Sequence, residues 1–591
     1  MSFSGNAAKS SIRSRLAALA LILAPLLGGC NSLPGGVGGA RPAASAPSPS
    51  AYRPEAARRE GGSLIVGDWE SPTDFSPLYN DEAPAREIDS LLFAGLTRRD
   101  AQLQPIADLA SDVPTLDNGG VTWDRASQRM TVSYQLRAGL RWSDGQPLTT
   151  ADVEFTWRTI KNSRPGTPLN SDGYGAIASL VVRDARHFAL NFDRIYPQYV
   201  DLFSAILPQH RLADVPPAGM AASPYFSRPD VVSGPFKIDE LVADDHISLV
   251  RNNAWSEGRA GRRPHLDSIL FRIYPEAGQL IDAARKGQVD LALEISDEQL
   301  ASLGGTGGSS PQRRPALSYE QVSFNQADPN PQTGVSPPWK GDPVLLQALR
   351  SSIDRAAIVQ KLFQGQVPVA SSPVSSLLHD FHDADPGLRF DAPGAAQALD
   401  RDGWVQGGDG IRVKNGRRLS FSLLAALGDP LRTALRAELI AQWRRLGVDV
   451  IAKDAHSSAI FSGFAQGGLL EQGKFEAGLW TFSTGADPDS IYPLEHSSQI
   501  PTEKNQGVGA NFSRVASAEI DRSLDRGRRT LLLGERVQAY AAFERAYARL
   551  GAELPLFERV QTVLTSQRLH NLQPNSGAAT SLWNAADWWI G

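Results

Sequence analysis

Among 591 residues there is a single cysteine, Cys30. An intramolecular disulfide is therefore excluded, and the folded chain must be held by its apolar cores rather than by a cross-linked framework. An excess of basic charge is lacking as well: 59 Lys and Arg stand against 64 Asp and Glu, a formal net charge of −5, and the cations form no stripe. A protein that grips nucleic acid needs clustered Lys and Arg to neutralise phosphates, so no nucleic-acid partner is expected. Long hydrophobic runs are missing too, since the apolar stretch from Leu16 to Gly29 is broken by Pro25 and is too short to cross a bilayer. Several catalytic signatures are absent. There is no G-x-S-x-G elbow, no H-E-x-x-H, and no second thiol for nucleophilic work. Carboxylates are common enough to leave a two-acid hydrolase open, but the reading adopted is a protein that is not an enzyme and needs no cofactor.

What is present begins with an address. Lys9, Arg13 and Arg15 precede the short apolar run, the layout of a secretory signal over residues 1–29. The run ends in Leu27, Gly28, Gly29 and Cys30, which resembles a bacterial lipobox and implies lipidation of Cys30, hence a membrane partner through a lipid anchor. Residues 30–60, rich in Gly, Pro, Ala and Ser, read as a flexible tether. Folding is expected to start near Ser63. At 591 residues, 41% of them hydrophobic, the chain has material for two or three domains.

The most informative stretch is Arg137 to Phe155, RAGLRWSDGQPLTTADVEF. Before it, Met130, Val132, Tyr134 and Leu136 alternate with polar residues at the period of a half-buried strand. Asp144 and Gly145 make a turn, Pro147 cannot continue a ladder, and Thr149 with Asp152 three residues on forms a capping box for a helix that turns Val153, Trp157 and Ile160 inward. Nothing here is catalytic by residue type. The wording "LR.G..WSDG.PLT..DV.F" nevertheless resembles the signature region of the family 5 extracellular solute-binding proteins, the peptide and nickel receptors of ABC importers.

Other segments carry the same resemblance: SPTDFSPLY and LLFAGL near the start, VVSGPFKI from Val231 to Ile238, the helix at 276–287 with Val289 to Leu293, and WKGDPVLLQALRSSIDRAAIV. The last also makes physical sense. Asp342 caps a helix with Pro343 at its first position, Asp354 opens another that ends at Gly365, and a third, Leu431 to Leu446, stops at Gly447 before a strand at Val448 to Ile451. Alternating helices and strands give an α/β class. The resemblance implies a two-lobed periplasmic-binding-protein fold of the Venus-flytrap type, with an additional small domain beside the first lobe. It places lobe 1 in residues 61–93, 208–320 and 556–591, the small domain in 94–207, with a turn at Ser171 to Tyr174, and lobe 2 in 321–555. The chain would cross between lobes near Tyr319 to Asn325.

The resemblance also implies a site between the lobes. Tyr79 and Asn80 lie in the opening loop, where a cleft contact and an ordinary surface loop use the same residues. Asn325 follows the crossing strand, and its amide suits both backbone and ligand. The segment from Phe475 to Ser498 runs along the cleft and supplies Trp480, Ser483, Thr484 and Asp487. In peptide-binding members an Asp three residues after a cleft Trp pairs with the peptide's α-amino group; counted from Trp480 that position is Ser483, so either Asp487 takes over the anchor or the ligand has no free α-amine.

Two competing motifs remain. The loop GGTGGSS, Gly304 to Ser310, lacks the Lys-Ser or Lys-Thr pair of a phosphate loop and is read as an ordinary loop. His379, Asp380, His382 and Asp383 include metal-ligand types at close spacing, yet flanking prolines suit a solvated loop, and no metal is assigned. The expected partners are a short peptide or related small solute and the permease subunits of an ABC transporter, with the protein a monomer at the extracytoplasmic face of the membrane. A metal chelate or a sugar-like compound as solute, or a sensing lipoprotein that transports nothing, are the alternatives.

Overall fold

A computed structural model describes residues 52–164, 168–256, 262–296, 299, 307–575 and 580–591. Cys30, the signal and most of the expected tether lie outside the described residues, as do Gly304 to Thr306. The described residues form one compact unit. Among the described residues no helix is long and apolar enough to cross a membrane.

Within that unit a single mixed sheet runs through both lobes in the order Asp449–Ala455, Ser420–Ala426, Ala477–Ser483, Ser309–Phe324, Glu553–Ser566, Leu291–Ile295, Ser63–Asp68, Ser268–Ile273, His246–Arg251, Phe236–Val242. Its two long central members, Ser309–Phe324 and Glu553–Ser566, are antiparallel to each other. The first pairs with Ala477–Ser483 through its C-terminal half, and the second with Leu291–Ile295 through Thr562 to Thr565. These two strands therefore connect the lobes. Their ladder is interrupted between Pro315 and Tyr319, where the register shifts. Ser309 and Ser310, read from sequence as loop, already belong to the outgoing strand, so the crossing begins ten residues before Tyr319. Gly-Gly-Ser-Ser punctuation hid a strand whose order comes from the return strand beside it.

Each lobe has its own core. Leu64, Val66, Ile269 and Phe271 belong to one cluster, and Phe324, Trp339, Phe421 and Trp443 to the other. Local chemistry sets the helices as expected. Asp342 accepts from Leu345 N–H, Asp354 from Ala357 N–H, and the helix Pro430–Leu446 ends at Gly447 with φ +91°.

The small domain is a four-stranded antiparallel sheet, Val121–Asp124, Arg129–Gln135, His187–Phe192 and Ile177–Val182, under the helix Thr150–Lys161. Met130, Val132, Tyr134 and Leu136 are all buried, and both halves of the Thr149/Asp152 capping box are made. Ser171–Ala176 is a short helix rather than a turn. At the other end of the chain, residues 52–60 are not free. Tyr52 packs edge-on to Trp583 and bonds Asp587, and the Asn571 side chain exchanges two hydrogen bonds with Glu55, because these groups meet an aromatic C-terminal segment.

Candidate functional site

Where the crossing strands pass between the lobes, their side chains and the flanking segments enclose a polar chamber of about 420 Å³. Arg86 and Glu294 enter from the first lobe, Ser318, Arg559 and Gln561 from the crossing strands, and Ser483 to Gly485 from the second lobe. The strand Ala477–Ser483 brings its end to this place by pairing with the outgoing strand from Ala477 to Ser483. On its other edge Ser420–Ala426 pairs only with Ala477 and Gly478. Among the described residues no strand covers that edge from Leu479 on.

Glu294 is the unusual member. It sits in a strand that is otherwise apolar, at an irregularity between Ala292 and Ile295, with φ +52°. A non-glycine residue held there costs on the order of 1–3 kcal/mol, so surrounding contacts must impose it. They do: its carbonyl accepts the Trp69 indole N–H at 3.0 Å and its carboxylate accepts Gln561 Nε2 at 2.7 Å. Burial raises its pKa above the ordinary range, partly opposed by Gln561 and by the charge of Arg86. Behind it, burial pushes Asp68 up to about 7 and Glu87 up to about 8, the latter further raised by the charge of Glu294. Arg559 is 3.9 Å from Glu320, whose carboxylate is already occupied by Arg432 at 2.9 Å and Thr481 at 2.6 Å.

A second, apolar chamber of about 470 Å³ adjoins the continuation of the same segment at Ala486 and Asp487. Leu103, Leu116 and Tyr199 form one wall, and Leu378, Phe381 and Leu532 the other. Two of its charged groups, Asp487 and Arg99, are held in ion pairs. Asp487 receives Arg536 at 2.6 and 2.8 Å and also accepts the Asp489 N–H, capping the turn at Pro488. Burial alone would raise the Asp487 carboxyl, but the paired guanidinium holds it below the ordinary range. Arg99 binds Asp201 at 2.6 and 2.8 Å and donates to the Leu103 carbonyl.

The residues expected at the site divide. Ser483 and Thr484 line the polar chamber, and Asp487 borders the apolar one. Trp480 lines neither: it is 1% exposed, edge-on to Phe475 at 4.9 Å, and packed over Gly478, where an added Cβ would lie 1.8 Å from the ring. Asn325 is fully buried and spends its amide on the carbonyls of Gly473 and Phe475 and the N–H of Ala327. Tyr79 bonds Ser163, and Asn80 closes its own loop through Thr73, Asp74 and Glu82; neither lines either chamber. In the His379 to Asp383 motif, His382 donates to the Val374 carbonyl and Asp383 N–H to Glu544, while His379 and Asp380 border the apolar chamber. Among the described residues no group of three His, Cys, Asp or Glu side chains is placed to hold a metal ion.

Residues 109–501 match the family described as bacterial extracellular solute-binding proteins, family 5. The chain belongs to that family. As a family 5 member it is an extracytoplasmic solute-binding protein of the ABC-importer type, a class that works with permease subunits. Among curated relatives, the oligopeptide-binding protein AppA of Bacillus subtilis is 25% identical, over 96% of this chain and 97% of the relative. The solved structure of AppA in complex with a nonapeptide superposes with a TM-score of 0.67 at 23% identity, covering 91% of this chain and all of that one. A periplasmic EDTA-binding protein, EppA, reaches 0.73 at 17% identity over 91% and 98%. NikZ from Campylobacter jejuni in complex with Ni(L-His) reaches 0.67 at 20% identity over 89% and 99%. These likenesses carry the two-lobed fold with its small auxiliary domain.

The family 5 resemblance in the sequence did not reveal Arg86, Glu294, Arg559 and Gln561. Only Glu294 left a local signal, an acid inside the apolar run LALEI. Arg559 and Gln561 take their place from a strand pairing that spans hundreds of residues, and Arg86 from the helix Ala83–Leu92.

Proposed function

We propose that this protein is the receptor lipoprotein of an ABC importer, anchored through Cys30, acting as a monomer, and capturing a short peptide in the cleft between its lobes for delivery to a permease. In this reading the lobes comprise residues 61–93, 208–320 and 556–591 on one side and 321–555 on the other, with 94–207 as the small domain. The carrying observation is that the edge of Ala477–Ser483 beside Ser420–Ala426 has, among the described residues, no strand partner beyond Gly478 and that its end, Ser483, lines the polar chamber. An extended peptide can add itself to such an edge by main-chain hydrogen bonds, which give affinity without demanding a particular sequence. Ser483 and Thr484 are its contacts on the second lobe. Asp487, saturated by Arg536, is not an amine anchor in this reading.

Contacts made by both lobes exist only when the cleft is shut, so the ligand shifts the population toward the shut state. The test is mass spectrometry of the solute that co-purifies with the protein, followed by X-ray scattering with and without it. A peptide whose addition shrinks the radius of gyration supports the reading; a non-peptide solute, or unchanged scattering at saturation, overturns it. A second reading, a carboxylate-rich metal chelate, draws on Arg86 and Arg559, whose guanidiniums suit bidentate carboxylates; the same mass spectrum separates it from a peptide.

A further inference from the structure

The apolar chamber has features that packing alone does not explain. Leu531, Leu532 and Leu533 stand in succession, each only half-buried, at the start of the helix Leu533–Leu550, although Tyr540, Phe543 and Tyr547 on the same helix are fully buried. Leu531 touches the core of the opposite lobe, while Leu532 and Leu533 belong to neither core. Across the space, Leu116 is likewise half-buried, with part of its side chain packed on the first core. Leucine side chains held at the wall of a cavity rather than in a core keep apolar area available to something else. Of the charges around them, Arg99 pairs with Asp201 and Arg536 with Asp487, while the exposed Asp117 and Asp380 stand at its border.

Position adds the second argument. Ser483 to Gly485 line the polar chamber and the next two residues, Ala486 and Asp487, line the apolar one, so a ligand lying along this segment meets both. Size adds a third. A dry cavity of roughly 150 Å³ already admits benzene, and this one is about 470 Å³.

We propose that the apolar chamber is the specificity pocket of the cleft and takes a bulky apolar group of the solute, an aromatic or branched aliphatic side chain. The pocket deepens the transport reading and rests on it for the identity of the ligand as a peptide, but its apolar selectivity is measurable separately.

The experiment uses the full chain carrying Cys30→Ser, so that no lipid anchor competes. N-phenyl-1-naphthylamine, a neutral two-ring fluorophore, is titrated into wild type, Leu116→Asp and Leu532→Asp, and trileucine and trialanine are then used as displacers. Saturable one-site binding is expected for wild type, at least tenfold weaker in each variant, with trileucine displacing the probe at least tenfold better than trialanine. Far-UV circular dichroism checks the variants, and Leu532→Ser replaces one that fails to fold. Equal probe affinity in wild type and variants, or no saturable binding by wild type, overturns the pocket. Displacement by trialanine as readily as by trileucine overturns its role in specificity while leaving the peptide reading intact. Variant-sensitive probe binding that neither tripeptide displaces supports the pocket and counts against the peptide.

Discussion

Arg536 meets both carboxylate oxygens of Asp487, at 2.6 and 2.8 Å, in a setting where each residue is less than a tenth exposed. Removing one partner of a buried pair leaves the other charge uncompensated, at a cost of about 3–5 kcal/mol. Asp487→Asn should therefore lower the urea midpoint strongly, yet leave the affinities for a free-amine peptide and its N-acetylated form in their wild-type ratio. A selective loss of the free-amine peptide, read by calorimetry, would restore Asp487 as an amine anchor. Because the folded-state pKa of Asp487 is depressed, its stabilising contribution is full above the ordinary Asp value of about 3.9 and is lost as pH falls through the folded value.

Glu87 should act in the opposite direction. Its folded pKa is pushed up to about 8 by burial, while an unfolded Glu titrates near about 4.3. Between those values the folded state holds the extra proton, so stability declines as pH rises from about 5 toward 8. Glu87→Gln should flatten that decline. Urea unfolding at pH 5.5 and 7.5 tests it, and an identical pH slope in both proteins would remove Glu87 as the cause.

Gly478→Ala tests the packing of Trp480. The added methyl would collide with the ring at 1.8 Å, and overpacking of this kind costs about 1–3 kcal/mol. A lower melting temperature and an altered near-ultraviolet circular dichroism band are the expected result. Unchanged values would mean that the ring has room to move.

Cys30→Ser bears on the anchor. The multiple acyl chains of a bacterial lipoprotein hold a protein on the bilayer far more firmly than a single chain, so the variant should be released to the soluble fraction or remain unprocessed. Absence of fatty-acid labelling in wild type would refute the lipidation of Cys30.

Features decided within a few residues were legible in the sequence. Thr149 and Asp152 cap a helix, Pro343 begins one and Gly447 ends one, because each acts on its own neighbours. The site is another matter. Ser483 and Thr484, expected from the family resemblance, line the polar chamber, but Glu294 faces it because its strand buckles opposite Thr562, and Gln561 holds it from 267 residues away. Asn325 and Trp480 looked like ligand contacts by type and position. Their partners, the carbonyls of Gly473 and Phe475 and the ring of Phe475, are visible only once the lobe is folded.

The break in register between Pro315 and Tyr319 lies beside the polar chamber, and Ala316, Leu317 and Ser318 line it. A sheet that passes through both lobes is stiff wherever its ladder is complete, and yields first where rungs are missing. In the proposed function, ligand and compliant joint thus occupy one location, much as a wedge sits in the throat of a clamp. A substitution at Ser318 would alter grip and swing together, so an affinity measured there is also a measurement of how easily the jaws part.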